Sequence, residues 1–397
     1  MENKKVPKDW KLVKLGDVVE HIKEKIHDRE EWKVDRYIGG QHFDEGEIRI
    51  TKSAPIEGNE LVIGSAFHMK FKPGQVLYVT RNPRLRKGGM VDFEGVCSNV
   101  TFTLEAKKDE LMQKLLPFVI QTEGFTRHTC ASAHGSTNPF LNWKDIASYD
   151  LLLPPMSEQK KIAEVLWGVE ENIKGLNKFV ENLDRLKEKI LFELINDPKS
   201  PQLKIIDFCY VKGRIGWKGL KKSEFTKEGP YLITGTDFCE EGINWDTCYH
   251  ITEERYEESS EIIVKNGDIL VTKDGTIGKV TIVEGLKGKA SLNSHLLLVR
   301  PDDKKILDKF LYYALKSKLF RAFIDQQKTG TTLAGLNQRK FEQFSIPAPT
   351  IKEQEKIIKR INVVSNSLKN AQENLKSLKN LRQKLINELL LGNLRLK

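Results

Sequence analysis

Two stretches of this chain carry apolar residues in alternating steps of four and three. The first runs through Ile162, Leu166, Val169, Ile173, Leu176, Val180, Leu183 and Ile190, with Leu194 beyond. The second runs through Ile357, Ile361, Val364, Leu368, Ala371, Leu375, Leu378, Leu385 and Leu389. This spacing keeps one face of an α-helix apolar over many turns and is the signature of a coiled coil. Each series breaks once, at Lys187 and at Arg382. The adjacent Leu186 and Leu381 are expected to take over the seam at these breaks. The pattern predicts two spacer helices, over 157–197 and 352–397.

Shorter apolar runs fill the rest. "GQVLYVT", "SNVTFTLE", "GDILVT", "GKVTIVE" and "HLLLVRP" are rich in β-branched residues and bounded by Gly and Pro, so they read as strands. "DELMQKLLPFVI" and "KKILDKFLYYALKS" read as helices. Strands and helices mixed without strict alternation define an α+β domain.

The two halves repeat one plan. At a shift of 195 residues, Gly135 falls on Gly330, Thr137 on Thr332, Leu141-Asn142 on Leu336-Asn337, and Glu158-Gln159 on Glu353-Gln354. Tyr78–Thr80 resembles Leu270–Thr272 after a short slip. The divisions expected are a globular domain over 1–156, a helix over 157–197, a second globular domain over 198–351 and a helix over 352–397. The recurring "PPMSEQ" and "APTIKEQ" stretches read as helix starts. Ser157 is the expected N-cap in one, and Thr350 with Glu353 makes a capping box in the other. If the second helix returns along the first, each seam finds a partner within the chain. The expected architecture is then two inverted globular domains separated by two long antiparallel coiled-coil helices, related by a pseudo-two-fold internal repeat.

Charge adds a partner. The chain has 397 residues and a formal net charge of +10, which favours an anionic partner such as nucleic acid. No apolar run approaches the ~20 residues of a membrane span, and "MENKKVPKDWKL" has no signal-peptide core. Five cysteines without a CxxC pair suit a reducing cytoplasm. Cys239, Cys248 and His250 match no common zinc spacing. No G-x-x-x-x-G-K-S/T occurs, and Glu158 and Glu353 have no acidic or His partner nearby in sequence. "NPF", Asn138 to Phe140, lacks one Pro of the motif that amino-methyltransferases use, and reads as a turn. The chain is expected to be non-catalytic and to hold no cofactor or metal of its own.

Base and phosphate contacts call for Arg, Lys, Asn and hydroxyl side chains on loops. In the first domain these are Arg81, Asn82, Arg84, Arg86 and Lys87, with Ser136 and Thr137 on the "GSTNPFLN" loop. In the second they are Arg214, Lys218, Lys221 and Lys222, then Lys273, Thr276 and Lys279, and Lys328, Thr331 and Thr332 on "KTGTTLAGLN".

The order of parts, the "PP-x-S-E-Q" helix starts and the stretches "GDILVTKDG" and "GTTLAGLN" resemble the specificity subunit of type I restriction–modification systems, over nearly the whole chain. That resemblance implies two target-recognition domains on double-stranded DNA, reading an asymmetric bipartite target at fixed spacing. It also implies two modification subunits carrying S-adenosylmethionine, restriction subunits using ATP, and a cytoplasmic site of action. A two-ended coiled-coil scaffold that binds other proteins is the alternative the residues leave open.

Overall fold

The computed structural model describes residues 7–26, 32–59, 61–195, 200–214, 220–239, 242–328 and 335–396. The chain divides into two units. One comprises Met1–Lys178 with Gln372–Lys397, and the other Phe179–Ala371. Each long helix is therefore shared, half to each unit.

The predicted strands form as read: Val76–Val79, Thr101–Ala106, Ile269–Thr272, Val280–Ile282 and Leu296–Pro301. In the first unit, Val76–Val79 lies in a four-stranded sheet between Thr101–Ala106 and Gly88–Met90, with Val19–Ile22 at the far edge. A second four-stranded sheet places Arg36–Ile38 and Gly95–Ser98 at its centre. In the second unit the counterpart sheet is Cys209–Gly213, Leu296–Pro301, Ile269–Thr272 and Val280–Ile282 in that order. All four residues of Val76–Val79 and of Ile269–Thr272 are buried, as expected of central strands covered on both faces.

The strand registers correct one sequence match. Val79 pairs with Thr101, and Thr272 with Leu296. Thr101 and Leu296 are equivalent in the repeat, so Val79 corresponds to Thr272 and Thr80 to Lys273. The shared "VT" pair had drawn the alignment one residue away, because β-branched runs match one another in several registers. "DELMQKLLPFVI" is likewise mostly turns, with a helix only over Leu116–Val119, whereas its counterpart gives Asp308–Lys316. Pro117 has no N–H and sits in the first turn of that short helix.

The spacer helices run Met156–Ile195 and Ile351–Leu390. At 1.5 Å per residue each is about 60 Å long. Within the first unit their segments are antiparallel: Glu158 meets Arg395, and Glu170 meets Arg382. Ile162 and Leu166 join one core with Ile386, Leu389 and Leu390. Within the second unit Ile190 and Leu191 pack with Ile361 and Val364, flanked by Leu183 and Ile357. Ile173 and Leu368 are buried, while Val169, Leu176, Val180, Leu375, Leu378 and Leu385 are half-buried.

The breaks are not bridged as expected. Leu186 and Leu381 remain 45% and 48% exposed. Arg382 itself turns inward, and its Nη1 donates to Glu170 Oε1 at 2.7 Å. Ser157 is also not the cap, because the helix begins at Met156 and the N–H groups of Glu158 and Gln159 bond to the Pro155 carbonyl. In the second copy Thr350 N–H and Oγ1–H both donate to Glu353 Oε2, at 2.9 and 2.7 Å. The N–H arm is half of the predicted capping box.

What recurs in both copies is the glutamine. Gln159 is 1% exposed. It donates to Glu110 O and Pro154 O and accepts from Met112 N–H at 2.8 Å. Gln354 is fully buried. It donates to Lys305 O and Pro349 O and accepts from Leu307 N–H at 2.8 Å. Each glutamine ties the first turn of a spacer helix to the same loop of its domain, satisfying three backbone groups that would otherwise be buried unpaired.

His21, on the edge strand of the first sheet, lies against Phe102 and Trp143 at ring-centroid distances of 4.1 and 5.6 Å. Neither ring nitrogen has a hydrogen-bond partner among the described residues. Burial, and secondarily Lys23, pushes its pKa down to about 4. The folded state thus keeps the ring neutral, while the unfolded chain protonates it near 6.5. Stability from this site is fully present above pH 6.5 and is lost as pH falls toward 4. His21→Phe is expected to flatten the pH dependence of urea unfolding in that window. An unchanged slope would count against the assignment.

Candidate nucleic-acid interface

In the first unit, the strand Val76–Val79 delivers the chain to a strained loop. Thr80 is held at the strand end, its N–H and hydroxyl both donating to Val100 O at 2.9 Å. Asn82 and Arg86 then adopt left-handed conformations, φ 52° and 47°, bracketing the short turn Pro83–Leu85. Asn tolerates this region; for Arg it costs on the order of 1–2 kcal/mol, so the surroundings must impose it.

They do so through Gln121. Its Nε2 donates to Gly88 O at 2.8 Å and to Arg86 O and Glu47 O at 3.1 Å. Gly46 N–H also reaches Arg86 O. The returning spacer helix completes the brace: Arg382 Nη2 donates to Gly46 O at 2.7 Å, and Gln383 donates to Gln121 O at 2.9 Å. The loop is thereby hydrogen-bonded to the helix through one intermediate residue on each side.

The "GSTNPFLN" loop docks on it. Asn82 N–H bonds to Pro139 O at 2.8 Å, and Asn82 Nδ2 to Asn138 Oδ1 at 3.0 Å. Arg81 Nη1 donates to Asn138 O at 3.2 Å, and its guanidinium lies 5.0 Å from the Phe140 ring centroid. His134 and Phe140 exchange backbone hydrogen bonds, and His134 Nε2 sits 3.0 Å from Asp145 Oδ2. The structure thus brings two separately predicted groups into one surface. Arg81 and Asn82 are fixed on it, Arg84, Ser136 and Thr137 are exposed, and Arg86 is half-buried. Lys87 is spent locally, its Nζ on Gly40 O at 2.9 Å. "NPF" is the predicted turn, and it supplies the anchor points.

In the second unit the same backbone bonds recur. Lys273 N–H reaches His295 O as Thr80 N–H reaches Val100 O. Leu336 N–H reaches Lys273 O as Leu141 N–H reaches Thr80 O. Lys222, Thr276 and Lys279 come together around a hollow of about 430 Å³, with Thr234, Thr236 and Asn293 on its other walls. Lys221 is exposed beside it and Lys273 is half-buried. Asp274, which the sequence reading passed over, lines the same hollow and pairs with His295 Nδ1 at 3.1 Å. Its signal was its place directly after the strand, obscured by the displaced alignment.

Arg214 is a correction. It is 2% exposed, and its guanidinium donates to Leu292 O, Ser259 Oγ and Ser291 Oγ at 2.8–2.9 Å. It holds strand ends together inside the domain and presents no charge to a ligand. Its partners lie 45–78 residues away, beyond any local pattern. Lys218, Thr331 and Thr332 lie outside the described residues, as does the side chain of Lys328. Among the described residues no His, Cys, Asp and Glu cluster suits a metal, and no helix is long and apolar enough to cross a membrane.

Two mixed-sheet domains, each fastened to a spacer helix and presenting hydroxyl and basic loop residues, define a duplicated DNA reader. The family described as type I restriction modification DNA specificity domain matches residues 7–182 and again 203–380, and the chain belongs to that family. It is 23% identical to the type I restriction enzyme MjaVIII specificity subunit of Methanocaldococcus jannaschii, over 100% of this chain and 96% of that one. The type I restriction–modification S subunit of M. genitalium shares the fold at a TM-score of 0.58 and 16% identity, covering 98% of each chain. A chain from a structure concerned with assembly and conformational transition of a type I system matches at 0.62 and 18% identity, covering 98% of this chain and all of that one. The protein is a type I specificity subunit with two target-recognition domains, a recognition component and not a catalytic one.

Proposed function

We propose that the two domains read the two different halves of an asymmetric bipartite duplex target, and that the spacer helices set the distance between those halves. The spacer helices also dock two modification subunits, which bring S-adenosylmethionine, and restriction subunits, which bring ATP, in the cytoplasm. The observation that carries this reading is one backbone frame supporting different loop chemistry in the two units. The bonds that Thr80 and Lys273 donate, and those they accept from Leu141 and Leu336 N–H, are equivalent, while the side chains presented beside them differ. A protein that read one sequence twice would have no reason to vary them.

The test is co-expression with the modification subunits, followed by sequencing of methylated adenines. An asymmetric bipartite motif is expected. Arg81→Ala is expected to relax one half of it, by about 10- to 100-fold in discrimination, since a bidentate Arg contact is worth about 1–3 kcal/mol. Equal relaxation of both halves would contradict separate readers.

A further inference from the structure

We propose that Asp274 is a base reader that accepts a hydrogen bond from the N4 amino group of a cytosine in the major groove. This rests on the reading of the second domain as a half-site reader. With Thr80 equivalent to Lys273, the position of Arg81 is taken by Asp274. A donor in one domain is replaced by an acceptor in the other, on the same backbone frame.

Three observations support a recognition role. First, Asp274 lines a hollow that also holds Lys222 and Lys279. A carboxylate among cations that face phosphates weakens non-specific binding, so its presence calls for a specific partner. Second, stability does not explain it. The pair with His295 is 44% and 63% exposed, and ion pairs of that kind contribute little. Third, the carboxylate is held in place. His295 Nδ1 lies 3.1 Å from Oδ2, and a Cβ on Gly335 would come within 3.0 Å of Oδ1. Gly335 stands where the first unit has Phe140, the ring beneath Arg81. Each reader is thus positioned by the residue that suits its chemistry: an aromatic face for a guanidinium, and an open glycine for a carboxylate.

Cytosine is the base that fits. Its N4 donor is flanked by a C–H, whereas the N6 donor of adenine lies beside the N7 acceptor, which repels a second carboxylate oxygen.

The test uses the complex of this chain with its modification subunits. Methylated sites and binding to random-sequence duplex are measured for wild type, Asp274→Ala and Asp274→Asn. In wild type, one half of the motif is expected to contain a required G·C pair that Asp274→Ala makes degenerate by about 10- to 100-fold. Asp274→Asn, which retains a hydrogen-bonding partner for His295, is expected to shift that position toward adenine, because Asn pairs with N6 and N7 together. Affinity of Asp274→Ala for random duplex is expected to rise or hold; a structural or phosphate-positioning role predicts a fall. A bipartite wild-type motif left unchanged by both variants overturns this proposal alone. A wild-type motif without two distinct halves overturns the half-site reading beneath it.

Discussion

Replacing Arg382 with Met is expected to cost the first unit about 3–5 kcal/mol of unfolding free energy, and adding Glu170→Met is expected to restore most of it. Both side chains are buried, 10% and 6% exposed, and joined at 2.7 Å. Removing one leaves the other charged and without its counter-ion in a poorly solvated seam. Removing both leaves an ordinary apolar layer. Arg382 Nε also finds no acceptor among the described residues, so the pair is incompletely satisfied, and an apolar replacement of both gives up the bond to Gly46 O but little else. Hydrogen exchange read by mass spectrometry separates the two units, and a double-mutant cycle on the first supplies the coupling. Additive losses would show that the two side chains act independently. Arg382 also holds Gly46, which holds Arg86. Both the single and the double variant are therefore expected to loosen the candidate DNA-contact loop, seen as faster exchange at 81–88 while the second unit is unchanged.

The second large effect concerns the repeated glutamine. Gln159→Leu and Gln354→Leu are each expected to cost about 3 kcal/mol, because each leaves one N–H and two carbonyls without their partner near the base of a spacer helix. The loss should fall on the first unit for Gln159→Leu and on the second for Gln354→Leu. Glutamate at the same positions is expected to do worse than leucine, since it retains an acceptor for Met112 or Leu307 N–H but faces two carbonyls with no donor. Urea unfolding with unit-resolved hydrogen exchange measures both; an effect below about 1 kcal/mol would mean that water replaces the side chain.

The long helices were legible because their signal is repetitive: many weak apolar contacts at a fixed period outvote any one residue. The helix starts were legible for the same reason, appearing twice. The roles inside them were not. Local reasoning assigned the cap to Ser157 and found no partner for Glu158, because capping is a rule about neighbours in sequence. Glu158 is instead gripped by Trp10 Nε1 at 3.0 Å and Arg395 Nε at 2.7 Å, and Gln159 by a loop some fifty residues earlier. The candidate DNA-contact loops were picked out by their charge, but charge does not distinguish a guanidinium at the surface from one that turns inward. Arg81 and Arg214 look alike in sequence and differ in burial: two serines and the Leu292 carbonyl enclose Arg214, whereas Arg81 is only half-buried. Asp274 was missed because a search for basic residues does not look for an acid.

Pro7 and Asp9 meet Gly392 and Arg395 in the first unit. Gly392, at φ 70°, ends the second spacer helix where a Cβ would lie 2.9 Å from Pro7, and Arg395 then bonds to both Asp9 and Glu158. The order of completion thereby runs opposite to the order of synthesis. The ribosome makes the first domain's sheets first, yet that unit needs residues 372–397 to finish, whereas the second unit is drawn wholly from 179–371. The domain synthesised first is the last to be completed. Until the segment from Gln372 onward emerges, the nascent protein holds the whole of the second unit and only part of the first.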